Sequence, residues 1–278
     1  MEFSAGQAFS DAFKRLGGRF GLLFAMWLLF FVVTVAMFVA FGGAAAAMLA
    51  RSTLAADAPS QVDLATSSRL GAGLGVTVVL LYLVYFLILF AQQIALSRVS
   101  TGREEDSFGV ALGAGLRGTP TMFGVALIYL LGFVVLSALS RALSGESALG
   151  VVLSLLMLIG MLYLFARLSL VLPLIAIEEM RNPFNAIAKA WRLAAGHSLK
   201  LTGLWAAVLI AAFALLFGAI AASTGFRVGA AGPMASVALL IAVMLWWITV
   251  GLYMVTLTTA LYDQLSPSSV EETADTFA

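Results

Sequence analysis

Six stretches of this chain run for the length of a membrane crossing with no charge in them, apart from a single arginine. They cover roughly residues 21–49, 71–97, 119–139, 149–177, 201–224 and 232–261. About 20 apolar residues in helical form cross the hydrocarbon of a bilayer, and a helix satisfies all of its backbone groups within itself. The pattern predicts an all-α polytopic membrane protein, six spans arranged as three hairpins. Of the 278 residues, 62% are hydrophobic and 10% charged, where a soluble domain carries about 45–50% and about 25%. Residues 1–265 are therefore read as a single membrane domain, and the acidic, aperiodic segment 266–278 as a disordered tail.

Lys14, Arg15 and Arg19 stand before the first run, as they would in a signal peptide. The 29 charge-free residues from Gly21 to Leu49 exceed the ~7–15 of a signal-peptide core, so the run is expected to be a retained span. An even number of spans puts both ends of the domain on one side. Lys14, Arg15, Arg19, Arg98, Arg103, Arg117, Arg181, Lys189, Arg192 and Lys200 fall on that side, against Arg51, Arg69, Arg141 and Arg227 on the other. The bias predicts cytoplasmic termini.

The opposite-side connections, residues 51–69, 140–147 and 226–233, read as polar or small-residue loops and turns. On the basic side, Phe9, Ala12, Phe13, Leu16 and Phe20 recur at helical spacing, with Gln7, Asp11 and Lys14 opposite. This is an amphipathic helix, residues 4–20, expected to lie on the membrane surface ahead of the first span. Residues 182–195 repeat the design: Phe184, Ile187, Trp191 and Ala195 share one face, and Asn185, Lys189 and Arg192 the other. Asn182 is placed to cap this helix and Pro183 suits its first turn. In register, Ala8, Ala12, Phe13, Lys14 and Gly18 pair with Ala186, Ala190, Trp191, Arg192 and Gly196. A weaker copy, "DSFGVALGAGLRG", precedes the third span. Three units of surface helix plus hairpin follow. Lys14, Arg15, Lys189, Arg192 and Trp191 are expected to meet lipid.

Arg167 is the exception among the spans. It lies ten residues before Ile177, about 15 Å at the helical rise, which predicts a place near the bilayer midplane. A charge at that depth faces a bundle interior or a wet cavity. Pro173 cannot donate to the carbonyl of Ser169, so a kink is expected just past Arg167. Tyr163, Arg167, Leu174 and Glu178 share a helical face, which brings Glu178 and Glu179 to the basic-side mouth. Candidate partners for Arg167 are Tyr253 and Thr256, which with Thr249 form a hydroxyl stripe on the last span, Gln92 and Gln93 on the second, and Tyr262 and Asp263 where the sixth closes. Two readings of this cluster stand side by side, a ligand site and a structural anchor among hydrogen-bonded helices.

Other features point to structure. Gly71 with Gly75, and Gly218 with Ala222, have the small-xxx-small spacing of close helix packing, and Trp246 and Trp247 fall mid-span, where core packing is expected. With no cysteine and one histidine, His197, neither a metal site nor a haem is expected, and no cofactor is. A net charge of +1 offers nothing to nucleic acid. Membrane lipids, a protein partner or a second copy of the chain are the expected partners.

The stretch "ARLSLVLPLIAIEEMRNPFNAIAKAWRLAAGH" resembles the membrane domain of some bacterial glycerophosphoryl diester phosphodiesterases and of small six-span inner-membrane proteins. Arg167, Pro173, Glu178, Glu179, Ala186, Ala190, Trp191 and Gly196 carry the likeness. The resemblance implies a bacterial inner-membrane protein. It does not imply phosphodiester hydrolysis, which in that family belongs to a separate soluble barrel with its own histidines and metal-binding acids. The expected function is non-enzymatic, a lipid- or partner-interacting envelope component. The alternative is a transporter or permease for a lipid-like or anionic molecule, working through Arg167.

Overall fold

A computed structural model describes residues 4–56, 64–102, 107–143, 148–225 and 233–266. The described residues are all-helical: α1 (Ala5–Ala56), α2 (Leu64–Ser100), α3 (Phe108–Leu143), α4 (Ala148–Leu168), α5 (Val171–Glu178), α6 (Pro183–Leu193), α7 (Ser198–Gly225) and α8 (Pro233–Leu265). Six segments are long and apolar enough to cross a membrane, the fourth of them running through α4 and α5. The protein is an all-α polytopic membrane protein. Helix continues into the expected loop 51–69, over Arg51–Ala56 and Leu64–Arg69; residues 57–63, 144–147, 226–232 and the expected tail 267–278 lie outside the described residues.

Helix α2 packs along α1 and α3, α1 also against α8, α4 against α7, and short α5 sits among α2, α3, α6 and α8. The buried residues gather at one end of the bundle, from Ala8 to Leu23, Ala91 to Ser100, Ala166 to Ile177, Ala186 to Leu204 and Leu252 to Leu261. That end also carries the ion pairs described below and is called the charged end here. Farther along the spans, Val76, Val78 and Val79, Leu130 and Leu131, and Ile210 and Phe213 point outward. Such a surface is stable only against hydrocarbon.

Three helix starts at the charged end are built alike. The Ser4 and Ser107 hydroxyls accept from Gln7 N–H and Val110 N–H at 3.4 and 3.5 Å, and Asn182 Oδ1 accepts from Phe184 N–H and Asn185 N–H at 2.9 and 3.4 Å. Four residues on, the amides of Ala8, Ala111 and Ala186 donate to the capping residue's own carbonyl, and all three alanines are fully buried. Each cap satisfies amides that the first helical turn leaves without partners. After four more residues come Ala12, Gly115 and Ala190, also buried.

The buried face is thus a stripe of small residues, and this corrects the expected one. Phe13, Phe184 and Trp191, grouped by periodicity with the apolar face, remain 64%, 68% and 39% exposed. Small side chains let a helix axis approach the bundle closely, and the large aromatics are left on the outer side. The first unit breaks after Gly18, where Arg19 leaves helical geometry (φ −127°, ψ 18°), and the third turns at Gly196 (φ +84°). The expected separate helix before the third span is instead continuous with it. At the position of those glycines α3 has β-branched Thr121, whose hydroxyl is tied to the Arg181 carbonyl at 2.9 Å; the helix continues through Pro120.

The tightest packing lies elsewhere than the sequence spacing suggested. Gly75 and Gly218 meet nothing within 4 Å, while a Cβ on Gly115 would stand 2.5 Å from the Ala91 carbonyl oxygen and one on Gly118 2.8 Å from Ile175. The surroundings of Gly71 and Ala222 lie outside the described residues. Trp246 and Trp247 are 49% and 58% exposed, lining a groove between α7 and α8 instead of filling a core.

Candidate functional site

The fourth crossing is not one helix. Helix α4 ends at Leu168, Ser169 and Leu170 form a turn, and α5 begins at Val171. The kink expected past Arg167 is therefore a complete break, with buried Pro173 as the third residue of the new helix. A first-turn residue has no intrahelical acceptor for its amide, so proline's missing N–H costs nothing there. Counting about 15 Å back from Ile177 at the helical rise supposes one straight helix, which the turn at Ser169 and Leu170 interrupts.

Arg167 instead reaches the charged end. Its Nε and Nη2 donate to the Ser198 hydroxyl oxygen at 3.0 and 2.6 Å, and that hydroxyl donates to the Ala194 carbonyl at 3.0 Å. The guanidinium lies over the Trp191 ring, 4.1 Å from its centroid, and 5.0 Å from that of Tyr163. Trp191 and Tyr163 meet edge to face at 6.3 Å. Three elements thus converge on one cation: the end of α4, the exposed rim of α6 and the start of α7. Aromatic faces stabilise a cation by about 0.5–2 kcal/mol depending on desolvation.

None of the expected partners of Arg167 is bonded to it among the described residues. Tyr253 stacks on Phe9 at 6.4 Å and meets the tilted ring of Phe13 at 4.7 Å, its buried hydroxyl without a hydrogen-bond partner among the described residues. Thr256 is fully buried and donates to the Tyr253 carbonyl at 2.8 Å; Thr249 does the same to Leu245. Gln92 is half-buried, and Gln93 lines a cavity between α3, α4, α5, α7 and α8. The hydroxyl link between helices runs through residues that periodicity did not single out: Thr259 Oγ1 on α8 meets Ser100 and Ser97 of α2 at 2.7 and 3.3 Å. All three are fully buried.

The acids at the end of α5 are held by two networks. Glu178 accepts from the Tyr262 hydroxyl at 2.6 Å and pairs with Lys189. Glu179, in the left-handed conformation that ends α5 (φ 52°), lies 3.6 Å from Arg98. Arg98 also donates to the Ala176 and Ile177 carbonyls at 2.9 and 3.3 Å. Arg19 likewise reaches the Val99 and Gly102 carbonyls at 3.4 and 2.5 Å. Both arginines place positive charge on the unpaired carbonyls of a helix end, where the macrodipole favours it. Arg15 pairs with Asp263 at 2.6 Å, joining the first helix to the last. Arg15 and Lys189, expected at the lipid surface, are thus engaged within the protein, because the acid closing a neighbouring hairpin comes within reach of each.

What remains outward-facing is regular. Phe13, Leu116 and Trp191 occupy one position of the repeated start, the residue after the second buried small residue, and are exposed; so are Lys14, Arg117 and Arg192, which follow them. Among the described residues no carboxylate pairs with these three bases, nor with exposed Arg181 or Lys200. No family model, curated protein or solved structure matches the chain.

Proposed function

We propose that this chain is a non-enzymatic bacterial inner-membrane protein whose charged end, turned to the cytoplasm, binds anionic lipid headgroups. One observation carries the reading: the exposed pairs Phe13–Lys14, Leu116–Arg117 and Trp191–Arg192 stand at equivalent positions of three similarly capped helix starts. A large apolar side chain beside an unpaired base suits the boundary between acyl chains and headgroups, and each base near an anionic surface contributes about 1 kcal/mol. The likeness to six-span inner-membrane proteins agrees with that setting and brings no catalytic step with it.

The test is a variant carrying Lys14→Gln, Arg117→Gln and Arg192→Gln, purified from membranes of mixed phosphatidylglycerol and phosphatidylcholine. Loss of three charges is expected to weaken anionic-lipid association by about 3 kcal/mol at low salt, with a shallower salt dependence. Unchanged enrichment and salt dependence would sink the proposal.

A second reading, movement of an apolar or lipid-like molecule through the bundle, draws on the Gln93 cavity of about 760 Å³, where Ser169 and Thr258 are further polar groups. Arg167 does not line it, so transport on this reading depends on Gln93 in place of the arginine. Uptake or efflux in vesicles that Gln93→Leu leaves unaltered would remove this alternative.

A further inference from the structure

The guanidinium of Arg167 is half-buried, and its bonds run to a neutral hydroxyl and two aromatic rings. Among the described residues no acid neutralises it, and Nη1 carries no hydrogen bond. A cation so placed gains from an anion more than one in bulk water does, because the surrounding medium screens it less.

Beside it runs a groove of about 600 Å³ between α3 and α4, lined by Tyr129, Phe133, Met161, Leu164 and Leu168, with Ile187 of α6 as a further wall. Leu164 and Leu168 flank Arg167 on α4, and Ile187 lies one turn before Trp191, the residue stacked on the guanidinium. Arg167 does not itself line the groove, but its neighbours on α4 and a residue one turn from Trp191 form the groove's walls. The volume falls within the ~300–1,000 Å³ of ordinary ligand sites.

We propose that the groove holds one anionic phospholipid, an acyl chain between α3 and α4 and its phosphodiester accepting from Arg167 Nη1. An apolar trough whose walls adjoin, along the chain, a guanidinium set against two aromatic rings suits an acyl chain ending in a phosphate, since Arg–phosphate hydrogen bonds are charge-assisted and tyrosine and tryptophan favour the headgroup level. The neighbouring Arg192 adds positive potential without an acid to cancel it. This site deepens the lipid-binding reading of the charged end yet differs from it in kind: one saturable lipid per chain, against many weakly held ones.

The experiment counts phospholipids on the purified full chain by native mass spectrometry, with phosphatidylglycerol or phosphatidylcholine added to detergent. One tightly held phosphatidylglycerol is expected, preferred about tenfold or more over phosphatidylcholine, whose equal phosphodiester is accompanied by a choline cation that Arg167 and Arg192 repel. Arg167→Gln should abolish the preference, and Leu164→Trp, which fills the groove while leaving the charge, should expel the lipid. Leu164→Trp carries the test if Arg167→Gln fails to fold. Lys14→Gln with Arg117→Gln should strip the weakly held lipids and leave the tight one. Retention of the preference by folded Arg167→Gln, or of the lipid by Leu164→Trp, overturns the site while leaving the surface reading standing. Equal binding of the two lipids by the unaltered protein overturns the site as well, and if the double variant also keeps every weak lipid, the surface reading falls separately.

Discussion

At the scale of single residues, the cation–hydroxyl contact at Arg167 and the acid pair at the end of α5 decide how the charged end holds together. Ser198→Ala removes the acceptor of two guanidinium N–H groups. It is expected to cost about 1–3 kcal/mol in reversible unfolding in detergent, the range for hydrogen bonds to charged groups. The two adjacent glutamates should separate cleanly. Glu178→Gln disturbs a bond to Tyr262 and an ion pair with Lys189 made by a side chain 26% exposed, half as open as that of Glu179, and about 1–3 kcal/mol is expected. Glu179, 53% exposed in its pair with Arg98, should change stability by less than about 1 kcal/mol when made Gln. Thermal melts in which the two variants behave alike would refute this division. Arg167 itself was legible in the sequence as the one charge within a span; its partners were not, because they sit 24 and 31 residues away on α6 and α7, brought near by a turn.

At the scale of elements, packing follows small residues. Helices α2 and α3 touch where Gly115 leaves the Ala91 carbonyl oxygen room, and a methyl group there would force the two backbones apart. Gly115→Ala is expected to destabilise by about 1–3 kcal/mol. Gly203→Ala on α7, with nothing within 4 Å of the added carbon, should stabilise by about 0.5–1 kcal/mol through helix propensity alone. Opposite signs in denaturant unfolding check the pair. The repeat of surface helix and hairpin was visible in the alanine register, and the structure adds the three caps and the buried stripe. Apolar periodicity points those helices the wrong way, because phenylalanine and tryptophan weigh most in it, whereas close approach to the bundle selects alanine and glycine.

At the scale of the molecule, Arg15 and Asp263 join the first helix to the last, so the two ends of the bundle's path meet on one side. The chain contains no cysteine, which makes single-cysteine variants direct reporters. In sealed vesicles a membrane-impermeant maleimide is expected to label Lys14→Cys and Asp263→Cys from one face, and Ala56→Cys only from the other. Labelling of the first two from opposite faces would contradict a six-crossing path. Charge bias alone assigns the shared face to the cytoplasm, and the same experiment on right-side-out vesicles reads that assignment.

The sequence by itself determined that this protein lives in a bilayer, how many times it crosses, where the short helix α6 begins and that one arginine stands apart. Those are local properties, set by transfer energies summed over about 20 residues and by capping within one turn. Only the tertiary structure decided that the fourth crossing breaks after Leu168, that Arg167 meets Ser198 and Trp191 in place of Tyr253 or the glutamines, and that Arg15 and Lys189 are paired. Such choices depend on which helices lie side by side. Inside a membrane that order is set by close packing and hydrogen bonds between segments far apart in the chain, while hydropathy, equally satisfied by lipid or by a neighbouring helix, cannot distinguish the two.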